Sequence, residues 1–287
     1  VAAEIAQQAG FTVDTAAATP VSFASTTTTT FDGSGDQVIG GTNTTQTFAF
    51  GTLVVSNTGS TGTTEVTVNN RAGVTDVSAV SLSITDGKLT IATAASIDVN
   101  GNLAVQTSSG SEFEMLGSSI ATVSGNFTVS AGVFDAQGTS TVTLDGGAQN
   151  IDLSTAEADK DFVNLTINGT GTDTLLTAVT VSSALTITAG TIEISTFTLT
   201  VTSSATVNGG TLSMTGSGGV LAMGDGATLS MTSGTIATSD TATAPVLTTS
   251  GTEGTHYFAV SFTGGTLNVS EWDIRSVNTS GVLIGSG

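Results

Sequence analysis

"TAGTIEISTFTLTVTSSATVNGGTLSM", residues Thr188–Met214, decides the fold. Nearly every second residue is aliphatic, Thr and Ser fill most positions between, and Gly-Thr followed by an aliphatic residue occurs at Gly190–Ile192 and again at Gly210–Leu212. Strand side chains alternate between faces, so such a stretch buries one face and leaves Thr and Ser on the other. An alternation that itself recurs, from Ile192 to Leu212, predicts short strands wound into coils that stack on copies of themselves. Working outward, the apolar pairs are Val179/Val181, Leu185/Ile187 and Ile192/Ile194, then Leu199/Val201, Ala205/Val207 and Leu212/Met214, then Leu221/Met223, Leu229/Met231 and Ile236. Taken in threes they form three coils, the first two equally long and the next slightly longer. Ile192, Leu212 and Ile236 should then stack as an inward ladder, flanked by Thr191, Thr211 and Thr235. Gly190, Gly210 and Gly234 should take a corner where backbones approach closely.

A longer repeat overlies the short one. "TTFDGSGDQVI" (Thr29–Ile39) returns as "VTLDGGAQNI" (Val142–Ile151), and "SLSITDGKLTI" (Ser81–Ile91) returns as "ALTITAGTIEI" (Ala184–Ile194). The expected organisation is an N-terminal arm over 1–28, a first solenoid unit over 29–140, a second over 141–248 and aromatic-containing terminal coils over 249–287. Within the arm, "VAAEIAQQAG" places Ala2, Ala3, Ile5, Ala6 and Ala9 on one stripe before Gly10, which predicts a short capping helix. That decapeptide has neither a basic region nor a long apolar run, so it does not read as a signal peptide. The expectation is a processed chain or a piece of a longer one.

Composition narrows the function classes. The 287 residues are 38% hydrophobic, enough for a continuous core, but only 9% charged, and Cys is absent. Thiol catalysis, disulfides and cysteinyl metal sites are thereby excluded. Twenty-three acidic residues face four basic ones (Arg71, Lys88, Lys160, Arg275), a net charge of −19, which leaves no basic patch for nucleic acid. No stretch approaches the roughly twenty consecutive apolar residues of a membrane span.

The ladder at 184–214, the paired "T-x-[FL]-D-G…Q-x-I" blocks and the Thr/Gly/Asn-rich, Cys-free composition resemble bacterial cell-surface β-solenoid proteins, namely autotransporter passengers and filamentous-haemagglutinin-type adhesins. The resemblance runs from about Thr29 to Ile284. It implies an all-β, right-handed parallel β-helix with about 20 residues per three-strand coil, located outside a bacterial cell, and serving as a fibre, stalk or adhesin. Tandem antiparallel β-sandwich domains are the alternative, since a repeat of about 110 residues also suits them. Polysaccharide lyases and hydrolases share the β-helix, but the adjacent-Asp, Asn-Thr-Asp and Gly-His-Gly signatures that resemblance to the hydrolases would require do not occur. Four scattered cations would also hold an anionic polymer poorly. The chain therefore reads as non-enzymatic, without cofactor unless calcium, and with head-to-tail self-association or cell-surface glycans as its partners.

Few residues stand out for chemistry. Glu157, Asp159 and Asp161 in "STAEADKDF" offer oxygen ligands at alternate positions of a loop and form the calcium candidate. Tyr257, Trp272 and Asp273, near the lone His256, form the candidate for ligand or partner binding, or else the filling of a wider coil. Asp32, Asp36 and Asp145 in the repeated Asp-Gly blocks read as turn residues. Glu112 and Glu114, either side of Phe113, read as surface charges on the outer face of a strand.

Overall fold

The computed structural model describes residues 5–7, 21–40, 46–57, 65–69, 75–106, 110–154, 161–239, 243–252, 254–270 and 272–284. All regular structure among them is strand, and every strand pair is parallel. The fold is a parallel β-solenoid, which removes the antiparallel sandwich alternative. The chain divides into two compact units, Val1–Val142 with Ser154–Lys160, and Thr143–Leu153 with Asp161–Gly287.

In the first unit, successive coils contribute strands to three walls. One wall carries the register Thr29, Leu53, Leu82, Leu103, Phe127. A second carries Phe23, Phe48, Val77, Ile97, Ala121. The third is a five-stranded sheet of Gln37–Ile39, Glu65–Val68, Lys88–Ile91, Glu112–Met115 and Val133–Ala136. Phe31, Phe48, Phe113, Phe127 and Phe134 are fully buried in this unit. Phe113 stacks on Phe134 at 5.8 Å between centroids, and Phe127 meets Phe134 edge-on at 5.0 Å. Phenylalanine rings thus pack against one another in the interior of this unit.

The second unit repeats the plan with aliphatic ladders. Ile192, Leu212 and Ile236 are in register and each is 0% exposed. Thr191, Thr211 and Thr235 run beside them. Leu199, Leu221 and Leu247 line a second wall, and Leu165, Leu185, Ala205, Leu229 and Val260 a third. Burying one such Leu or Ile contributes about 1.5–3 kcal/mol, and the ladder repeats that contribution in every coil. The intervening hydroxyls and amides bond across coils: Thr188 Oγ1 donates to Asn168 Oδ1 (2.7 Å) and Thr232 Oγ1 to Asn208 Oδ1 (2.9 Å). At the corner, Gly209 has φ +128° and a Cβ there would lie 2.4 Å from the Thr188 carbonyl oxygen. Gly234 has φ +87° and the same test places its Cβ 2.3 Å from the Gly210 oxygen. Both positions require glycine for conformation and for space.

Two expectations are revised. The short coil expected from the sequence holds in parts of both units, where Val77 pairs with Ile97, Leu165 with Leu185 and Ile192 with Leu212. Coils are longer where Leu53 pairs with Leu82 and Leu89 with Phe113, and longer still where Leu229 pairs with Val260. The added residues do not shorten the paired strands, since Gln46–Ser56, Thr75–Asp86 and Thr228–Thr238 run 11, 12 and 11 residues where the coil lengthens. Of the helix expected at the N-terminus, Ile5–Gln7 is a strand paired with Thr29–Phe31, and the rest lies outside the described residues. Ladder hydrogen bonds outweigh the modest helix propensity of a short Ala-rich stretch.

Candidate functional site

Among the described residues, a group of four charged side chains stands together on the outer face of the five-stranded sheet. Register places Lys88 beside Glu112, and Thr90 beside Glu114, which in turn neighbours Asp135. Alternation in Lys88–Ile91 and Glu112–Met115 sends Leu89, Ile91, Phe113 and Met115 inward, so the polar residues between them must face out. Lys88 Nζ lies 2.7 Å from Glu114 Oε1 and 3.4 Å from Glu112 Oε1. Thr90 Oγ1 donates to Glu114 Oε2 at 2.9 Å, and Gln137 Nε2 donates to Asp135 Oδ2 at 2.6 Å. Glu112, Glu114 and Asp135 each bring a carboxylate oxygen within 4.8 Å of the others, a spacing that could surround a cation. The Lys88 ammonium is the cation that sits among them.

The group is only partly solvated. Glu114 as a residue is 9% exposed. Burial pulls the Lys88 ammonium down, but the Glu114 hydrogen bond and the charges of Glu112 and Glu114 outweigh it, and its pKa is raised. Burial pushes the Glu112 carboxyl up, only partly offset by Lys88. The arrangement holds charge in a partly buried place.

In the second unit two further acids are shaped by their surroundings. Glu193 faces outward, accepting hydrogen bonds from Ser213 Oγ, Thr215 Oγ1 (2.8 Å), Thr215 N (3.1 Å) and Ser195 N (2.9 Å). Burial pushes its pKa up, but these donors together outweigh burial and hold it low. They also hold Ser195, a non-glycine residue at φ 57°, in its corner. Asp173 faces the other way. It is 1% exposed, its neighbours in register are Gln149 and Ile192, neither carboxylate oxygen has a hydrogen-bond partner, and burial raises its pKa to about 7.

The residues singled out from the sequence fall as follows. Glu157 and Asp159 lie outside the described residues, and Asp161 is exposed. Tyr257 is 41% exposed; its N–H donates to Asp225 Oδ1 (3.0 Å) and its hydroxyl to the Gly254 carbonyl (2.6 Å). Trp272 is half-buried, with its indole N–H enclosed and without a partner. Asp273 is held by the Arg275 guanidinium at 2.5 Å, and that hydrogen bond lowers its pKa. Among the described residues no ring contact joins Tyr257 to Trp272, and the buried aromatics of this region are Phe258 and Phe262. Asp36 Oδ1 accepts from the Glu65 N–H of the next coil, at 3.3 Å, instead of closing its own turn. Glu112 and Glu114, read as ordinary surface charges, belong to the ion-pair ladder; the signal for it is Lys88, one coil before Glu112.

No protein-family model, curated protein or solved structure matches this chain. Among the described residues no helix is long and apolar enough to cross a membrane.

Proposed function

We propose that the chain is a structural element of the bacterial cell exterior, a β-solenoid subunit of a self-assembling surface fibre or of an adhesin stalk, related to the autotransporter and haemagglutinin solenoids that its repeats resemble. The supporting observation is how the side chains are spent. Inward positions form ladders, outward positions bond to the next coil, and Glu112 and Glu114 are both engaged by Lys88. Stacked coils of this kind give stiffness and resistance to local opening, because the strands of interior coils are bonded on both sides.

Assembly through strand edges follows the same logic. Leu267 continues the register of Leu212 and Ile236, which are 0% exposed, but is itself 36% exposed on a strand, Thr266–Val269, that pairs on one side with Thr228–Thr238. A strand paired on one side can take up another, whether from a following coil of a longer chain or from a second copy. Heterologous contacts between copies then propagate without closing. Electron microscopy of the purified chain over a concentration series, with and without Ca²⁺, tests this. Filaments of uniform width are expected; single particles of constant size at every concentration would refute self-assembly.

A glycan-binding role is the second reading, favoured by the exposed Tyr257 ring and the unpartnered Trp272 indole N–H. Trp272→Ala separates the two. Loss of glycan binding at unchanged stability supports an adhesin, whereas lost stability alone supports packing.

A further inference from the structure

Asp173 occupies an inward position that is Ile, Leu and Ile in the next three coils. Inward residues along its wall run Gln149, Asp173, Ile192, Leu212, Ile236, and the last three are 0% exposed. On its own strand, Thr172–Leu175, the next inward residue is Leu175, also 0% exposed. Around the same coil stand Leu165, Ile167, Val179, Val181, Leu185 and Ile187, all buried. A carboxylate in such surroundings is unfavourable unless it is paired, and neither oxygen of Asp173 has a hydrogen-bond partner.

Among the described residues, no charged group faces it from the strands packed around it. The strand Gln149–Asp152 carries Asp152, and Thr191–Glu193 carries Glu193, both at outward positions of the alternation, with Glu193 engaged by Ser195, Ser213 and Thr215. Phe162–Ile167, Val179–Ile187 and Thr198–Val201 contain no titratable residue. The neutral acid is therefore the form that fits the coil, and ionisation places an uncompensated charge inside the ladder.

We propose that Asp173 makes the second unit responsive to pH, its coil packing tightly when the carboxyl is protonated and loosening when the proton is released to solvent. Burial raises its pKa from 3.8 to about 7 in the folded chain. Between those values the folded chain holds a proton that the unfolded chain has lost, so stability declines as pH rises through this window and is level above it. Each pH unit inside the window raises the unfolding constant about tenfold, so the whole window from 3.8 to about 7 raises it roughly a thousandfold.

The test is urea unfolding of the purified chain, as wild type and as Asp173→Asn, from about pH 4 to about pH 8.5. Relative to the Asn variant, wild type is expected to lose stability progressively up to about neutral pH and then run parallel to it. Parallel profiles over the whole range would overturn the proposal. Asp173→Leu, which restores the aliphatic ladder, covers the case in which Asn does not fold and should show the same relative profile. Hydrogen exchange on wild type gives an independent readout. Protection at Thr172–Leu175 and Thr191–Glu193, corrected for intrinsic rates, should fall with pH more steeply than at Val220–Met223. Equal slopes at the three strands would also overturn it.

Discussion

Replacing Lys88 by Met removes the cation from between Glu112 and Glu114 and keeps the aliphatic stem. With an effective dielectric of about 20, contacts of 2.7 and 3.4 Å correspond to about 6 and about 5 kcal/mol of gross attraction, most of it offset by desolvation of the ammonium. What remains is the cost of leaving two confined carboxylates without a counter-charge. Removing one partner of a buried pair costs about 3–5 kcal/mol, and the side-chain exposures of 18%, 23% and 11% reduce that to about 2–3 kcal/mol at neutral pH. The deficit should depend on pH with a definite sign. Glu112 already has a raised pKa, and loss of Lys88 raises it further, so the penalty is relieved by protonation as pH falls and grows as pH rises. Urea unfolding at several pH values measures both quantities, and Lys88→Met with Glu114→Gln should recover part of the loss. A deficit below about 0.5 kcal/mol that is flat with pH would refute the view that this ladder is confined, because exposed pairs behave in that way.

Other perturbations probe the solenoid itself. Leu212→Ala, in the middle of a fully buried ladder, should cost about 2–5 kcal/mol in chemical denaturation, whereas Leu267→Ala in the dilute chain should cost under about 1 kcal/mol. If filaments form through the Thr266–Val269 edge, the second substitution should weaken assembly while leaving the dilute chain intact. Gly209→Ala forces a Cβ to 2.4 Å from the Thr188 oxygen at φ +128°, and a loss of more than about 2 kcal/mol in thermal or urea unfolding is expected. Glu193→Gln should lower stability by about 1–2 kcal/mol at neutral pH, since Ser213 and Thr215 then bond a neutral acceptor. The gap should close as pH falls, because the folded-state pKa of Glu193 lies below its ordinary value and its contribution is lost on protonation.

The aliphatic ladder was legible because two periods coincide in it. Alternation gives the strand, and recurrence of the whole pattern one coil later gives the partner, so Ile192, Leu212 and Ile236 could be stacked from the sequence alone. Coil width was less legible, since a corner that adds residues leaves the alternation on either side unchanged, as between Leu229 and Val260. Ile5–Gln7 misled because its composition suits a helix and only the distant Thr29–Phe31 makes it a strand. The same separation hid the charged ladder, whose members are one coil apart and look unrelated in a line of sequence. Asp173 could have been found: "TDTL" alternates like its neighbours, with Asp at the position that is Leu or Ile one and two coils later. The phenylalanine interior of the first unit gave a weaker cue, because Phe suits strands whether or not the coil is wide.

The variable spacing between registered strands has a consequence for variation and engineering. The coil from Leu229 to Val260 is about half as long again as the one from Leu185 to Ala205, yet both pairs stack in the same manner. A corner can therefore take a graft of roughly ten residues without altering the rungs above and below it, since closing a longer loop adds only a fraction of a kcal/mol. Each turn of the scaffold is in effect a separate display position, and epitopes, tags or binding loops could be exchanged there one at a time while the backbone lattice stays as it is.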